Sequence, residues 1–287
     1  MRLVSYDDFV VGMLRGDEIT DLTAAIGDVP SLPWDERVPA FIRSYSGSLA
    51  TSKDQWNQQP ALPLTSVRLR APVPRPPKLL CAIGNFGAPP PPDSPLAVDF
   101  TFKSPESVIG PGDTIVLADV PASGFEAEAT LAVVIGREAR KLTTDEALSY
   151  VFGYTAFLDV FATGLGRPQV GTFFGKSLDT LGPMGPCLVT ADELGDPQDL
   201  HIRFSVNDTT CQEFNTSEML LSVADVLRVA TEIMTLYPGD VVTCGSPSPG
   251  RAILKHDDRA LVEIDRIGRL DVRVADPQRR SWPTTVS

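Results

Sequence analysis

The chain has 287 residues, enough to bury a large core in one large domain or two. Hydrophobic residues make up 43% and charged residues 22%, the usual balance of a soluble globular protein. The net charge of −12 argues against nucleic acid or an anionic membrane surface as a partner, since both want a basic patch. It leaves room for a small anionic substrate, because a local cation can override the global sign.

Cys81, Cys187, Cys211 and Cys244 form no CxxC pair, and His201 and His256 do not sit near them at zinc spacing. They read as reduced, mostly buried thiols of a cytoplasmic protein. The opening MRLVSYDDFVVGML carries acids and lacks a long apolar core, so it does not read as a signal peptide, and no apolar run is long enough to cross a bilayer.

In chain order, alternation at Met1–Tyr6, Phe9–Leu14 and Ile19–Leu22 predicts short strands. Val38–Leu49 is expected to hold a short helix. Arg70-Ala-Pro-Val-Pro-Arg-Pro-Pro77 carries four prolines and reads as an extended connector. It separates a small β-rich N-terminal domain (1–70) from a main domain (78–276), with a C-terminal tail at 277–287. The main domain opens with a strand at Lys78–Ile83, followed by a second proline cluster at Pro89–Pro92. Short strands at Phe100–Lys103 and Thr114–Leu117 follow, with a strand and turn at Ser107–Asp113 between them.

Next comes Gly124-Phe-Glu-Ala-Glu-Ala-Thr-Leu-Ala-Val-Val-Ile-Gly136. Side chains alternate faces along a strand, so Glu126, Glu128 and Thr130 share one face. Adjacent acids repel, and a hard divalent cation between them relieves the repulsion. A half-exposed strand with its acids in water is the plainer alternative for this stretch taken alone.

Thr143-Thr-Asp-Glu146 fits a capping box ahead of a helix from Thr144 to Val151. Strands are expected at Tyr154–Phe161, Leu188–Thr190 and Leu200–Val206, with a turn at Asn207-Asp208. Ser222–Leu236 reads as an amphipathic helix stopped by Pro238-Gly239. Val241–Cys244, Ala260–Ile264 and Leu270–Val274 complete a strand-heavy pattern.

Three polar residues lie in apolar or glycine-rich surroundings: Asp159 in Phe157-Leu-Asp-Val-Phe161, Lys176 in Phe173-Phe-Gly-Lys-Ser177, and Ser246 in Thr243-Cys-Gly-Ser-Pro247. A charge buried among such neighbours needs a partner. Lys103 reads as a structural ion pair.

Taken together, these segments resemble the fumarylacetoacetate hydrolase family from about Lys78 to Val274. The resemblance is carried by Ser107-Val-Ile-Gly-Pro-Gly-Asp113, Leu131-Ala-Val-Val-Ile-Gly136, Gly153-Tyr-Thr155 with Asp159, Gly175-Lys-Ser-Leu-Asp-Thr180 and Gly185-Pro186. Asn215-Thr-Ser-Glu-Met219, Tyr237-Pro-Gly-Asp240 and Gly245-Ser-Pro247 add to it. It implies a β-rich α+β fold with a mixed β-barrel or roll core and a small N-terminal domain, usually in a homodimer. It also implies a divalent cation that binds the oxygens of a small 2-oxo acid or β-diketone. By position, Glu128 and Asp159 match metal ligands, with Glu126 a further candidate. Lys176 matches the family lysine, and Ser246 a hydroxyl that holds a substrate carboxylate. Tyr154 and Thr130 are further substrate-binding candidates. The expected ion is Mg²⁺ or Mn²⁺, with Ca²⁺ as a third candidate.

Three departures stand out. Thr130 falls where the family's Glu-x-Glu places its second acid, so the metal site is expected to be weaker. The family's Asn-Tyr-x-x-His becomes Asn85-Phe-Gly-Ala-Pro89, without the histidine that activates water in the hydrolases. The family's Asp-Val-x-Ala-Arg-Asp becomes Asp159-Val-Phe-Ala-Thr-Gly164. The expected function is therefore metal-stabilised enolate chemistry: decarboxylation, tautomerisation or C–C cleavage. Hydrolysis of an acylpyruvate is one alternative. A metal-independent cyclase or dehydratase, or a non-catalytic binding protein on the same fold, is the other.

Overall fold

A computed structural model describes residues 1–89, 98–165, 173–248 and 250–282. The prolines at 90–92 and the last residues of the tail, 283–287, lie outside the described residues. Two long antiparallel strands form the centre. Gly124–Ile135, which carries the acids, pairs along its length with Val151–Thr163. Beyond Gly124–Ile135 the main sheet continues through Val241–Thr243, Leu79–Ile83 and Asp99–Phe102. Beyond Val151–Thr163 it continues through Gly182–Thr190 to Arg2–Tyr6, Val10–Arg15, Glu18–Asp21 and Ala61–Pro63. The N-terminal strands thus extend the main sheet, through pairs such as Leu3 with Leu188.

The sheet is mixed and rolls up. In a flat sheet, the four strand steps from Val151–Thr163 to Asp99–Phe102 would span about 19 Å. Yet Lys103, one residue past that far strand, donates to Asp159 at 3.0 Å and to the Val160 carbonyl at 2.6 Å. The following residues, Val108–Ile109, then pair in parallel with Gly182–Thr190, which carries the chain back around the roll.

A second sheet runs in the order Thr209–Asn215, His201–Val206, Arg259–Ile264, Gly268–Ala275, Thr114–Val116. It packs on one face of the central pair. Phe125, Ala127, Ala129, Leu131 and Val133 share a core with Ile202, Phe204, Val262, Leu270 and Val272. The helix Val223–Ile233 adds Val226, Leu227 and Ala230. On the opposite face, Ala132, Val134 and Phe157 pack with Phe41, Ile42 and Trp56 of the N-terminal helices Arg37–Tyr45 and Leu49–Trp56. That cover lies over only one end of the face. The other end carries Glu126, Glu128 and Thr130.

Two expectations need correction. Thr143 makes no side-chain cap bond. Thr144 donates instead to Asp225 at 2.7 Å, tying this turn to the long helix. The α-helix ends at Ala147 and continues as a 3-10 turn, Leu148–Tyr150. The long helix stops at Ile233, where Met234 turns extended, ahead of Pro238-Gly239. The strand Thr209–Asn215 carries no clear apolar alternation and is legible only from its hairpin. Asn207 and Asp208 both adopt left-handed φ, 50° and 64°, as a two-residue hairpin turn requires.

The central pair and its neighbour leave no space at Gly153, where an added Cβ would meet the Val189 carbonyl oxygen. Gly153→Ala is expected to destabilise the protein by about 1–3 kcal/mol, measured by denaturant unfolding. An unchanged midpoint would contradict this packing.

Candidate active site

The pairing of the two central strands sets the site. Glu128 lies directly opposite Asp159, Glu126 opposite Phe161 and Thr130 opposite Phe157. Paired residues share a face, so these side chains project together. Directly opposed side chains have Cβ atoms about 4.5–5.5 Å apart, and like charges so placed are destabilising. Both carboxylates are also shielded from water, at 8% exposure for Glu128 and 3% for Asp159.

Three cations compensate them. Asp159 accepts from Lys103 at one oxygen (3.0 Å) and from Lys176 at the other (2.5 Å). Lys103 is itself almost wholly buried. Glu128 accepts from the Arg251 guanidinium at 2.7 Å, and Glu126 lies 3.7 Å from the same group. Lys176 and Arg251 both sit over the Phe161 ring, 4.6 and 5.3 Å from its centre. The ring therefore has both an ammonium and a guanidinium against it.

The electrostatic balance follows from these contacts. Burial opposes the charge on Asp159, but Lys103 and Lys176 outweigh it and hold the carboxyl down at about 2. Burial likewise pulls on Lys176, but Asp159 wins and keeps its ammonium charged. Burial lowers Lys103, against the pull of Asp159. Glu128 is raised above the ordinary range by burial and by Asp159, although Lys176 and Arg251 favour its charge.

The remaining candidates fall in different places. Thr130 donates its hydroxyl hydrogen to the Gly245 carbonyl at 2.8 Å, which ties the acidic strand to the Gly245-Ser246-Pro247 loop. Ser246 accepts from the Gln212 amide at 2.8 Å, and Gln212 also accepts from the Ala129 backbone N–H at 2.9 Å. Tyr154 is not brought to this cluster. It lies opposite Val133, buried on the face that packs against the second sheet. His201 pairs with Glu213 and His256 with Asp257, so both of the chain's histidines bond elsewhere.

Sequence reasoning left Arg251 and Gln212 unremarked, whereas Lys103, read as a structural ion pair, forms one with Asp159. Ala252 pairs with Ala127 and Ile253 with Glu126, so continuing that register puts Arg251 beside Glu128. Nothing local in Pro249-Gly-Arg-Ala252 signals this.

Removing Asp159 strands two buried ammonium groups. Asp159→Ala is expected to cost about 3–5 kcal/mol in denaturant unfolding. The Asp159 carboxyl is depressed from 3.8 to about 2 in the fold. Its contribution is therefore present above about pH 4 and lost as pH falls through 2, and the variant should show a flatter acid limb in that window. An unchanged acid limb would contradict the assigned ion pairs.

Comparison with known proteins follows the same lines. Residues 81–275 match the family model "Fumarylacetoacetate (FAA) hydrolase C-terminal". Maleylpyruvate hydrolase of Aquipseudomonas alcaligenes is 30% identical over 296 residues, covering 96% of this chain and 99% of that protein. The mitochondrial oxaloacetate tautomerase FAHD2A of Bos taurus is 33% identical over 271 residues, covering 88% and 83%. Maleylpyruvate hydrolase from Sphingobium sp. SYK-6, solved with manganese(II) and pyruvate, superposes with a TM-score of 0.85 at 32% identity, covering 96% and 99%. The chain belongs to the fumarylacetoacetate hydrolase family.

Proposed function

We propose that the chain is an enzyme acting on a small 2-oxo acid or β-diketo compound through an enolate. The observation that carries this reading is the buried Asp159–Lys176 pair beside Arg251 over Phe161. A 2-oxo acid presents a carboxylate and an adjacent carbonyl oxygen. The carboxylate suits the guanidinium and the Ser246 loop. Lys176, kept charged by Asp159, stabilises negative charge as it develops on the carbonyl oxygen. Glu128, its carboxyl raised by burial, is a better base than an exposed carboxylate and accepts the proton from the carbon next to the carbonyl. In keto–enol interconversion Glu128 takes a proton from carbon while Lys176 gives one to oxygen, and return of the proton from Glu128 to Lys176 restores both groups, so no water is consumed.

Relatives named as oxaloacetate tautomerases support this reaction class. Both histidines are engaged away from the cluster, which also favours a reaction without an activated water. The second reading, C–C hydrolysis of an acylpyruvate, rests on the nearly full-length similarity to maleylpyruvate hydrolase. Solvent oxygen appearing in a carboxylate product would select hydrolysis. For assembly we propose a homodimer, in which a second copy covers the exposed Phe102, Phe173 and Phe174 next to Lys176.

A divalent ion is expected to bind hard oxygen donors. Here Glu128 bonds Arg251, both oxygens of Asp159 bond lysines, and Thr130 supplies a neutral hydroxyl. Among the described residues no cluster of three acidic, histidine or cysteine side chains is placed to hold a metal. The donor set therefore fits a resident Mg²⁺, Mn²⁺ or Ca²⁺ poorly, and no step above is routed through one.

Oxaloacetate and simple acylpyruvates provide the test, with enol absorbance and CO₂ release followed together. Lys176→Met is expected to lower kcat by about 100–1,000-fold with a smaller change in KM. Glu128→Gln should lower kcat by about 100-fold or more. Full activity in both folded variants would sink the assignment.

A further inference from the structure

The relative solved with manganese and pyruvate is 32% identical to this chain over nearly its whole length. Glu126, Glu128 and Asp159 face Lys103, Lys176 and Arg251, three carboxylates against three cations. The cluster is neutral as built. A divalent ion would leave it with an excess charge of +2, in a place shielded from water, where such an excess is costly. Both oxygens of Asp159 and one oxygen of Glu128 are already bonded to cations.

We propose that this chain has exchanged the divalent ion for the guanidinium of Arg251, which with Lys176 holds the oxygens of an anionic 2-oxo acid directly. This deepens the functional reading above and rests on it for the substrate class. Three observations converge. Arg251 is anchored by Glu128 at 2.7 Å and backed by Glu126 at 3.7 Å, so its position is fixed from the acidic strand. It lies over the same ring as Lys176, so Phe161 brings the two cations into one cluster. Thr130 uses its hydroxyl hydrogen on Gly245, so this position acts as a tie between the strand and the Ser246 loop. A planar guanidinium suits a carboxylate because it offers two parallel N–H donors. Arg251 is thus assigned as a substrate-binding residue.

Two binding measurements on the intact protein test this, and neither depends on turnover. In the first, Mn²⁺ is titrated at neutral pH and followed by its paramagnetic resonance. The wild type should take up no Mn²⁺ at the site at micromolar concentrations. The double variant Thr130→Glu/Arg251→Ala removes one positive charge and adds one negative charge. It should bind Mn²⁺ on the order of 100-fold more tightly than the wild type. In the second, oxalate, a planar dianion resembling an enolised 2-oxo acid, is titrated by calorimetry in buffer containing EDTA. The wild type should bind it, and Arg251→Ala should bind it at least 10-fold more weakly, with the melting temperature confirming a folded variant. Micromolar Mn²⁺ uptake by the wild type overturns the proposal, as does oxalate binding that appears only when metal is added. The wild-type titrations decide even if the double variant does not fold. A failed screen against 2-oxo acids would instead remove the functional reading and leave the metal-free cation site standing.

Discussion

The direct opposition of Glu128 and Asp159 across two paired strands is the constraint around which this site is built. Two carboxylates in that position, shielded from water, do not stay together without compensation. The fold delivers the compensation from three distant parts of the chain. Lys103 arrives from the far edge of the rolled sheet, Lys176 from a single helical turn beyond the partner strand, and Arg251 from the residue before a short strand on the other flank. The roll of the sheet thus follows the same logic as the site. Without it, Lys103 would lie several strands away from Asp159.

The central strands divide their labour by face. One face is apolar throughout and seals the core against the second sheet. The other is apolar at one end, beneath the N-terminal helices, and charged at the other. Packing thereby holds the charged groups still. The Gly245-Ser246-Pro247 loop is fixed in turn by Thr130 and Gln212, both bonded to it and both largely buried. Such a site is preorganised for the proposed chemistry, with its cations already in place.

Much of this was legible in the sequence. The strand pattern, the acidic strand and the isolated Asp159 and Lys176 are each weak signals alone, but alternation and a charge amid aromatics survive without knowledge of the tertiary fold, and together they point to one site. The family resemblance followed from these same segments. Arg251 was not legible, because its role depends on which strand pairs with Glu126 and Ala127, a long-range fact. Tyr154 was placed among the binding candidates by its neighbours in sequence, but its parity along the strand puts it on the opposite face from Asp159. The expected cap at Thr143 gave way to a tertiary bond from Thr144 to Asp225, one of the ways packing overrides a local rule.

In the proposed site Arg251 and Lys176, rather than a bound ion, meet an anionic substrate. A crystal structure grown with Mn²⁺ and oxalate, with diffraction collected at a wavelength where manganese scatters anomalously, tests it most directly. The account predicts oxalate over the Phe161 ring, bonded to Arg251 and Lys176, with no anomalous peak between Glu128 and Asp159. A manganese peak held by those two carboxylates, with Arg251 swung away, would contradict it.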